Sequence, residues 1–477
     1  MVAAGLLFFA LCSLTLGLPT ARDELHVHER RSDVPNGFKY LGKADPDALL
    51  SLRIAVAPSN LAGLEAALYD VSTPGSKNYR KHLTKAEAQA FVAPKPDSTS
   101  AVKTWLSKNN VTATATSAAG DWITVRIPVA EANAMLGTQF GEYAHEETST
   151  KMIRTLSYSV PASVKEHIDV IHPATSFIEP RTLSPAVRAF HSPRASAGSR
   201  NGIHLTAKNT TASATSASKK SSPTAAAAAV DTSCKTQITP ECLQSIYNIP
   251  SAPASSGRSN LFVASFAGES ATPSDLKAFL SEFRQDIKAA SSNFIVQTVD
   301  GGTVNFAGGT TEASLDIQYT AGLATDVPTT FVSVGSNNTD GAAGFLDIIN
   351  DLLAQDEGLE NTNAGLFNAS GRAFPDIAAQ AQGFQVFVNG QVKPVAGTSA
   401  ASPTIASVVA LINDAIFKEG GRPVGFLNPF LYSAGVAGTL NDITQGSNPG
   451  CGTDGFPATD GWDPVRNHSV VLRSTLS

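Results

Sequence analysis

The sequence predicts an α+β domain followed by an α/β domain, joined by a structureless linker. Three observations carry that division. From about Gly37 to Pro180, β-rich runs (Leu52 to Ala57, Trp122 to Ile127) mix with helically spaced ones (Leu61 to Val71, Lys85 to Phe91), the pattern of an α+β domain. From Arg181 to Val230 the chain is rich in Ser, Thr, Ala and Pro, with a penta-Ala run and no apolar period. Such a segment buries too little apolar surface to order itself. From Leu261 strands and helices alternate: Leu261 to Phe266 reads as a strand, Ser274 to Phe283 as a helix, Thr330 to Val334 as a buried strand.

Composition bounds the function. With 477 residues, 42% of them hydrophobic, the chain can build two cores. Met1 to Gly17 contains an unbroken apolar run from Leu6 to Cys12 and small residues near Gly17, which reads as a signal peptide, although its start lacks a positive charge. No apolar stretch of membrane-spanning length is expected elsewhere. Sequons at Asn110, Asn209, Asn337, Asn368 and Asn467 fit a secreted glycoprotein. Charge splits the chain: 24 Lys and Arg face 18 Asp and Glu through residue 230, against 11 and 23 beyond it. A basic part beside an acidic part suits a prosegment bound to its own enzyme. Neither part has the basic stripe or aromatic clusters of a nucleic-acid binder.

Gly397-Thr398-Ser399-Ala400-Ala401-Ser402-Pro403 has the form of a nucleophile set at a helix start. A strand-like run, Phe384 to Val388, leads up to it. Ile405, Val408, Val409, Ile412 and Ile416 then recur at helical spacing. Pro403 suits a first turn, where its missing N–H costs nothing. Gly397 lets another backbone approach, and Ser399 sits where helix N–H groups favour a developing oxyanion. An ordinary capped helix would share these features.

A nucleophilic serine needs a base, usually histidine. Eight of the nine histidines lie at or before His204, and only His468 follows. If the first part is removed as a propeptide, a carboxylate must take the proton. The candidate pair is Glu312 and Asp316, after the loop Gly308-Gly309-Thr310, one helical turn apart on one face. Like charges at that spacing destabilise a surface helix slightly. Close carboxylates also push their proton affinities apart, so that one can act as base while the other stays protonated. Taken alone, the spacing more often marks two solvated acids.

These residues resemble the Ser-Glu-Asp machinery of the sedolisin family of serine-carboxyl peptidases, closest to the secreted fungal tripeptidyl peptidases. Asp231-Thr-Ser-Cys234 and Cys242-Leu-Gln-Ser-Ile-Tyr247-Asn-Ile-Pro250 resemble the start of the mature enzyme. Asp70-Val-Ser-Thr-Pro-Gly-Ser-Lys-Asn-Tyr79 and His82-Leu-Thr84 resemble the activation domain. The resemblance implies a subtilisin-like parallel-sheet catalytic domain, incomplete here, preceded by the α+β prodomain. It divides the chain into a signal peptide (1–17), an activation prodomain (18–180), a disordered linker (181–230) with a processing site at Lys219-Lys220, and a peptidase domain (231–477). It makes Ser399 the nucleophile, Glu312 the base and Asp316 its supporting acid in an acid-acting tripeptidyl peptidase made as a zymogen. Partners are peptide or protein substrates and its own prodomain, with no nucleic acid, no membrane and a monomeric enzyme.

A Ca²⁺ site is implied as well. Asp442 and Asp463 would bind through carboxylates, Ile443 and Gly461 through carbonyls, with a further carbonyl at Thr459 where the family usually has glycine. Hard oxygen donors in loops suit that ion.

The chain departs from the family in two places. Only 83 residues separate Asp316 from Ser399. The text is familiar to Glu357 and again from Gly365, and the segment bearing the oxyanion aspartate between them is absent. Asp376 belongs to a different family segment and is not its replacement. Losing an oxyanion donor costs about 10²–10³ in turnover, and losing central strands exposes apolar surface and strand edges. The shortened chain is therefore expected to be inactive and poorly folded beyond its prodomain. After Asp463-Pro464, Val465-Arg-Asn-His-Ser replaces a Gly-rich run. Cys12 leaves with the signal peptide, Cys234 and Cys242 can pair, and Cys451 is left alone. The alternative function is a catalytically dead, truncated secreted protein.

Overall fold

The computed structural model describes residues 24–146, 149–177, 188–189, 230–266, 268–287, 293–335, 376–433, 440, 443–446 and 458. The signal peptide, most of the linker with Lys219-Lys220, the junction at 357–365, Cys451, and Asp442, Thr459, Gly461 and Asp463 lie outside them.

In chain order the elements begin with β1 (Leu25–Arg30), β2 (Phe38–Lys43), β3 (Leu49–Val56), α1 (Leu61–Ser72), α2 (Lys85–Val92) and α3 (Pro96–Lys108). β4 (Ala113–Thr116), β5 (Trp122–Pro128), α4 (Val129–Leu136), β6 (Gly141–His145), β7 (Lys151–Arg154), β8 (Ser157–Pro161), α5 (Ala162–Lys165) and β9 (Ile168–His172) follow. After β10 (Arg188–Ala189) come α6 (Pro240–Tyr247), β11 (Leu261–Ser265), α7 (Pro273–Phe283), β12 (Ile295–Val299), α8 (Thr311–Leu323) and β13 (Thr329–Val334). β14 (Gln382–Val388), β15 (Gln391–Ala396), α9 (Thr398–Lys418) and α10 (Asn428–Leu431) complete the set.

Two compact units result, and they are not simple halves of the chain. One comprises residues to Ala57, Pro94–Ala144 and Lys151–Ser176; the other comprises Pro58–Ala93, His145–Thr150 and everything from Phe177. The first is α+β, as the mixed pattern predicts. Its four-stranded sheet, ordered β4-β5-β3-β9, is antiparallel throughout. Alternation puts Leu52 and Ile54 on one face, opposite Val125 and Ile123, and all four are buried with Leu136, Tyr158 and Ile171. The period-2 pattern thus buries one face of the sheet. Asn110 lies at an exposed left-handed position (φ 57°) just past α3, a geometry asparagine tolerates.

The second unit contains a parallel sheet ordered β11-β13-β12. Central β13 is buried at every residue, as expected for a parallel strand covered on both faces. Edge strand β12 leaves Ile295 59% exposed. An antiparallel hairpin, β14–β15, carries β10 on its outer edge. The hairpin is stitched to α8 by side chains. Gln318 exchanges two hydrogen bonds with the backbone of Phe387, at 2.7 and 2.9 Å. The Tyr319 hydroxyl lies 2.7 Å from the Ile238 carbonyl and accepts from the Gln385 N–H at 3.0 Å. Its ring packs between Phe279 and Phe384. Cys234 and Cys242 form a disulfide, as their pairing predicts.

Two sequence expectations are corrected here. Pro403 lies inside α9 rather than in its first turn, because the helix already begins at Thr398. Pro403 therefore cannot supply the N–H that the Ser399 carbonyl would accept. The apolar stretch said to be absent is also present: α9, with 21 residues and mean hydropathy up to 1.5, is long and apolar enough to cross a membrane by length and composition. It packs instead against α8 and in the same apolar core, through Ala400, Ala401 and Ile405.

The hydroxyl of Tyr319 serves buried backbone groups of two segments. Tyr319→Phe is expected to cost about 1–3 kcal/mol, read as a lower urea midpoint with an unchanged m-value.

Candidate active site

Helices α8 and α9 pack against each other. α8 is buried on most sides, through Ala313, Leu315, Ile317 to Thr320 and Leu323, whereas Glu312 and Asp316 are half-buried on its partly open side. They are not two solvated acids on an exposed helix. Thr310 occupies the cap position, yet its hydroxyl bonds the backbone of Ser270 instead of the helix N–H groups. With the Thr310 N–H bond to the Ser270 carbonyl at 2.8 Å, this ties the 266–272 loop to the start of α8.

That tie reveals a residue the sequence analysis missed. Glu269, in the tied loop, lies near enough to act on Asp316, and its Oε2 is buried without a hydrogen-bond partner. Burial pushes the Asp316 carboxyl well above the usual carboxylate range, and the Glu312 and Glu269 carboxylates add to the rise. No local signal marks Glu269, because the contact spans more than forty residues of sequence.

The hairpin before the serine is anchored to the loop before α8. Asp275 is buried and accepts from the backbone N–H groups of Asn389 and Gly390, at 2.9 and 2.8 Å. The Asn389 side chain pairs with both backbone groups of Gly309. Asn389 and Gly390 both have positive φ, 54° and 75°, the requirement of a tight hairpin turn. β15 then runs into Gly397, whose N–H donates to the Ala381 carbonyl at 2.9 Å. Ser399 is half-buried in the first turn of α9, where N–H groups lack intrahelical partners. A groove of about 600 Å³ runs along α9 from Thr398, lined by Leu261, Ile377, Ala401, Ile405 and Val409.

Of the expected calcium ligands, Ile443 alone lies among the described residues. Among those residues no group of three or more His, Cys, Asp or Glu could hold a metal.

The raised affinity of Asp316 has a signed consequence. A carboxyl whose folded pKa exceeds its unfolded value of about 3.9 binds a proton on folding. Stability is therefore greatest below that value and falls as pH rises through the folded pKa. Asp316→Asn removes this dependence. Its melting temperature, relative to the unsubstituted chain, is expected to be higher at about pH 7 than at about pH 4; an identical offset at both values would contradict the shift.

Comparison with known proteins adds an independent line. Residues 36–177 match the family described as "Pro-kumamolisin, activation domain". Tripeptidyl-peptidase SED2 of Arthroderma otae is 26% identical, over 95% of this chain and 96% of its own length. The probable tripeptidyl-peptidase SED2 of Arthroderma benhamiae is 25% identical over the same shares. Tripeptidyl-peptidase SED4 of Arthroderma otae is 23% identical over 100% of this chain and 98% of its own length. The match to the first relative extends over 600 positions, more than the 477 residues present here, so the relative carries sequence this chain lacks. The chain is thus similar over residues 36–177 to the pro-kumamolisin activation domain, and along nearly its whole length to proteins named tripeptidyl-peptidases.

Proposed function

We propose that the chain is the zymogen of a secreted, acid-acting serine peptidase that releases tripeptides, with a subtilisin-like catalytic fold. The observation that carries this reading is the packing of the helix bearing Glu312 and Asp316 against the helix that begins at Ser399, with Asp316 biased to keep its proton. The Ser399 Oγ attacks the peptide carbonyl while Glu312 takes its proton. Glu312 then returns that proton to the leaving amine, and water completes hydrolysis of the acyl-enzyme by the same route. A protonated Asp316 can donate a hydrogen bond to Glu312, holding it in place and stabilising its charge. Unpaired N–H groups at the start of α9 favour the oxyanion. Retention of all three residues on two packed helices supports a peptidase over a non-catalytic product.

The remaining assignments belong to the same proposal. The first 17 residues are a signal peptide, 18–180 the prodomain, 181–230 a linker cut on activation, and 231–477 the peptidase domain of a monomeric enzyme. Asp442, Ile443, Gly461 and Asp463 are proposed as Ca²⁺ ligands on donor chemistry, two carboxylates and two carbonyls. They would brace the C-terminal loops.

With the segment absent between Glu357 and Gly365 restored, the protein expressed in a secretory host and acidified is expected to release tripeptides from peptide substrates, with activity falling toward neutrality as the shared proton is lost, whereas the 477-residue chain is expected to release far less. A profile peaking near about pH 8 would remove a carboxylate as the base. Ser399→Ala and Glu312→Gln are each expected to lower turnover by about 10³-fold or more, and together by little more than either alone, since they act as a unit. Chelation of Ca²⁺ is expected to lower the melting temperature, and restored ion to recover it; an unchanged melt would remove the calcium assignment.

A further inference from the structure

The stretch from Asp70 to Thr84, marked by its sequence pattern, plays no part in the chemistry above. Its side chains build a hook. Asp70, near the end of α1, accepts hydrogen bonds from the Ser76 hydroxyl and from Asn78 Nδ2, the latter at 2.7 Å. These bonds draw its carboxyl below the usual carboxylate range and close the turn that follows α1. The Arg80 N–H then bonds back to the Val71 carbonyl at 2.7 Å, and Arg80 adopts a left-handed backbone (φ 64°). Thr84 ends the hook in a capping box with Glu87 that starts α2.

Residues 58–93 belong to the same compact unit as α9, although they lie within the activation-domain match. The hook reaches the loop 421–426 beyond the C-terminal end of α9. The Arg80 guanidinium donates two hydrogen bonds to the Arg422 carbonyl, its Nε at 2.6 Å. His82 Nε2 lies 2.9 Å from the Pro423 carbonyl; a carbonyl only accepts, so this nitrogen carries the hydrogen. Tyr69 meets the Phe426 ring edge-on, with centroids 6.3 Å apart. Gly425 has a φ of 71°, and a Cβ there would overlap the His82 ring.

The loop is itself fixed to the serine helix. Val424 is buried and its N–H donates to Asn413 Oδ1 of α9 at 2.9 Å. Both polar contacts from the hook end on backbone carbonyls, so its hydrogen bonds read the course of the loop backbone, and Tyr69 adds one ring contact to Phe426. We propose that the Tyr69–His82 hook is the anchor by which the activation domain stays bound to the peptidase unit after the linker is cut, and that loop 421–426 is its docking surface. The regulatory meaning rests on the zymogen assignment above; the binding itself does not.

The test uses the full chain in a Ser399→Ala background, which separates binding from catalysis. A single specific-protease site is inserted between Lys219 and Lys220 and cut. The dissociation constant of the two fragments is then measured by size exclusion and titration. The unsubstituted fragments are expected to stay together. Arg80→Ala, which removes charged hydrogen bonds, and Gly425→Ala, which perturbs the interface from the opposite side, are each expected to weaken association by about tenfold or more. Arg422→Ala is expected to change nothing, because only its carbonyl takes part. A variant is read when its fragments melt like the unsubstituted ones, and two variants on opposite sides guard against a folding defect in either. Fragments that separate without substitution, or that hold equally tightly in both variants, overturn the proposal. Failure of the peptidase assignment would show only in the tripeptide assay.

Discussion

The C-terminal unit depends on the attachment of one helix to one hairpin. Gln318 and Tyr319 of α8 bond the backbone of β14 at Phe387 and Gln385, and Tyr319 also reaches the Ile238 carbonyl. Backbone groups in a dry core must be paired, and here helix side chains pair them. The consequence is register. A helix fixed to a strand by two adjacent residues can neither rotate nor slide, so the half-buried side with Glu312 and Asp316 holds one direction. The same hairpin runs through β15 into Ser399, so one attachment positions both sources of the proposed chemistry. Asp275 and Asn389 repeat the device at the hairpin turn, tying it to the start of α7 and to Gly309.

Electrostatics at α8 follow from that geometry. Carboxylates one turn apart on a solvated helix would repel weakly and ionise normally. On a helix buried along most of its surface the cost of charge is larger, and the structure adds a third carboxylate, Glu269, through the Ser270–Thr310 tie. Burial dominates, and the neighbours push the same way. A carboxyl whose proton affinity is raised in this manner costs stability as pH rises toward neutrality.

One face of α9 lines a groove. Among the described residues the parallel sheet has three strands, and α9 presents Ala401, Ile405 and Val409 to a groove of about 600 Å³.

The sequence by itself determined the local elements and the candidate chemistry. Period-2 alternation in β3 and β5, the apolar repeat of α9 and the cap-like loop before α8 are short-range signals, and each element forms there, although α9 starts earlier than Pro403 suggested. Ser399, Glu312 and Asp316 could be nominated for the same reason: residue type, spacing and the scarcity of histidine are properties of the string. Three matters were decided by tertiary structure alone. Glu269 joins the acid pair through a loop tied across forty residues of sequence. Pro403 falls inside its helix because the hairpin delivers the chain at Thr398. The segment from Tyr69 to His82 reads as part of the N-terminal domain, yet it groups with the serine helix because its side chains seek carbonyls some 340 residues away. Spacing along a chain encodes which residues share a helix face; it does not encode which distant loop will offer a buried partner, because that is set by how the elements pack.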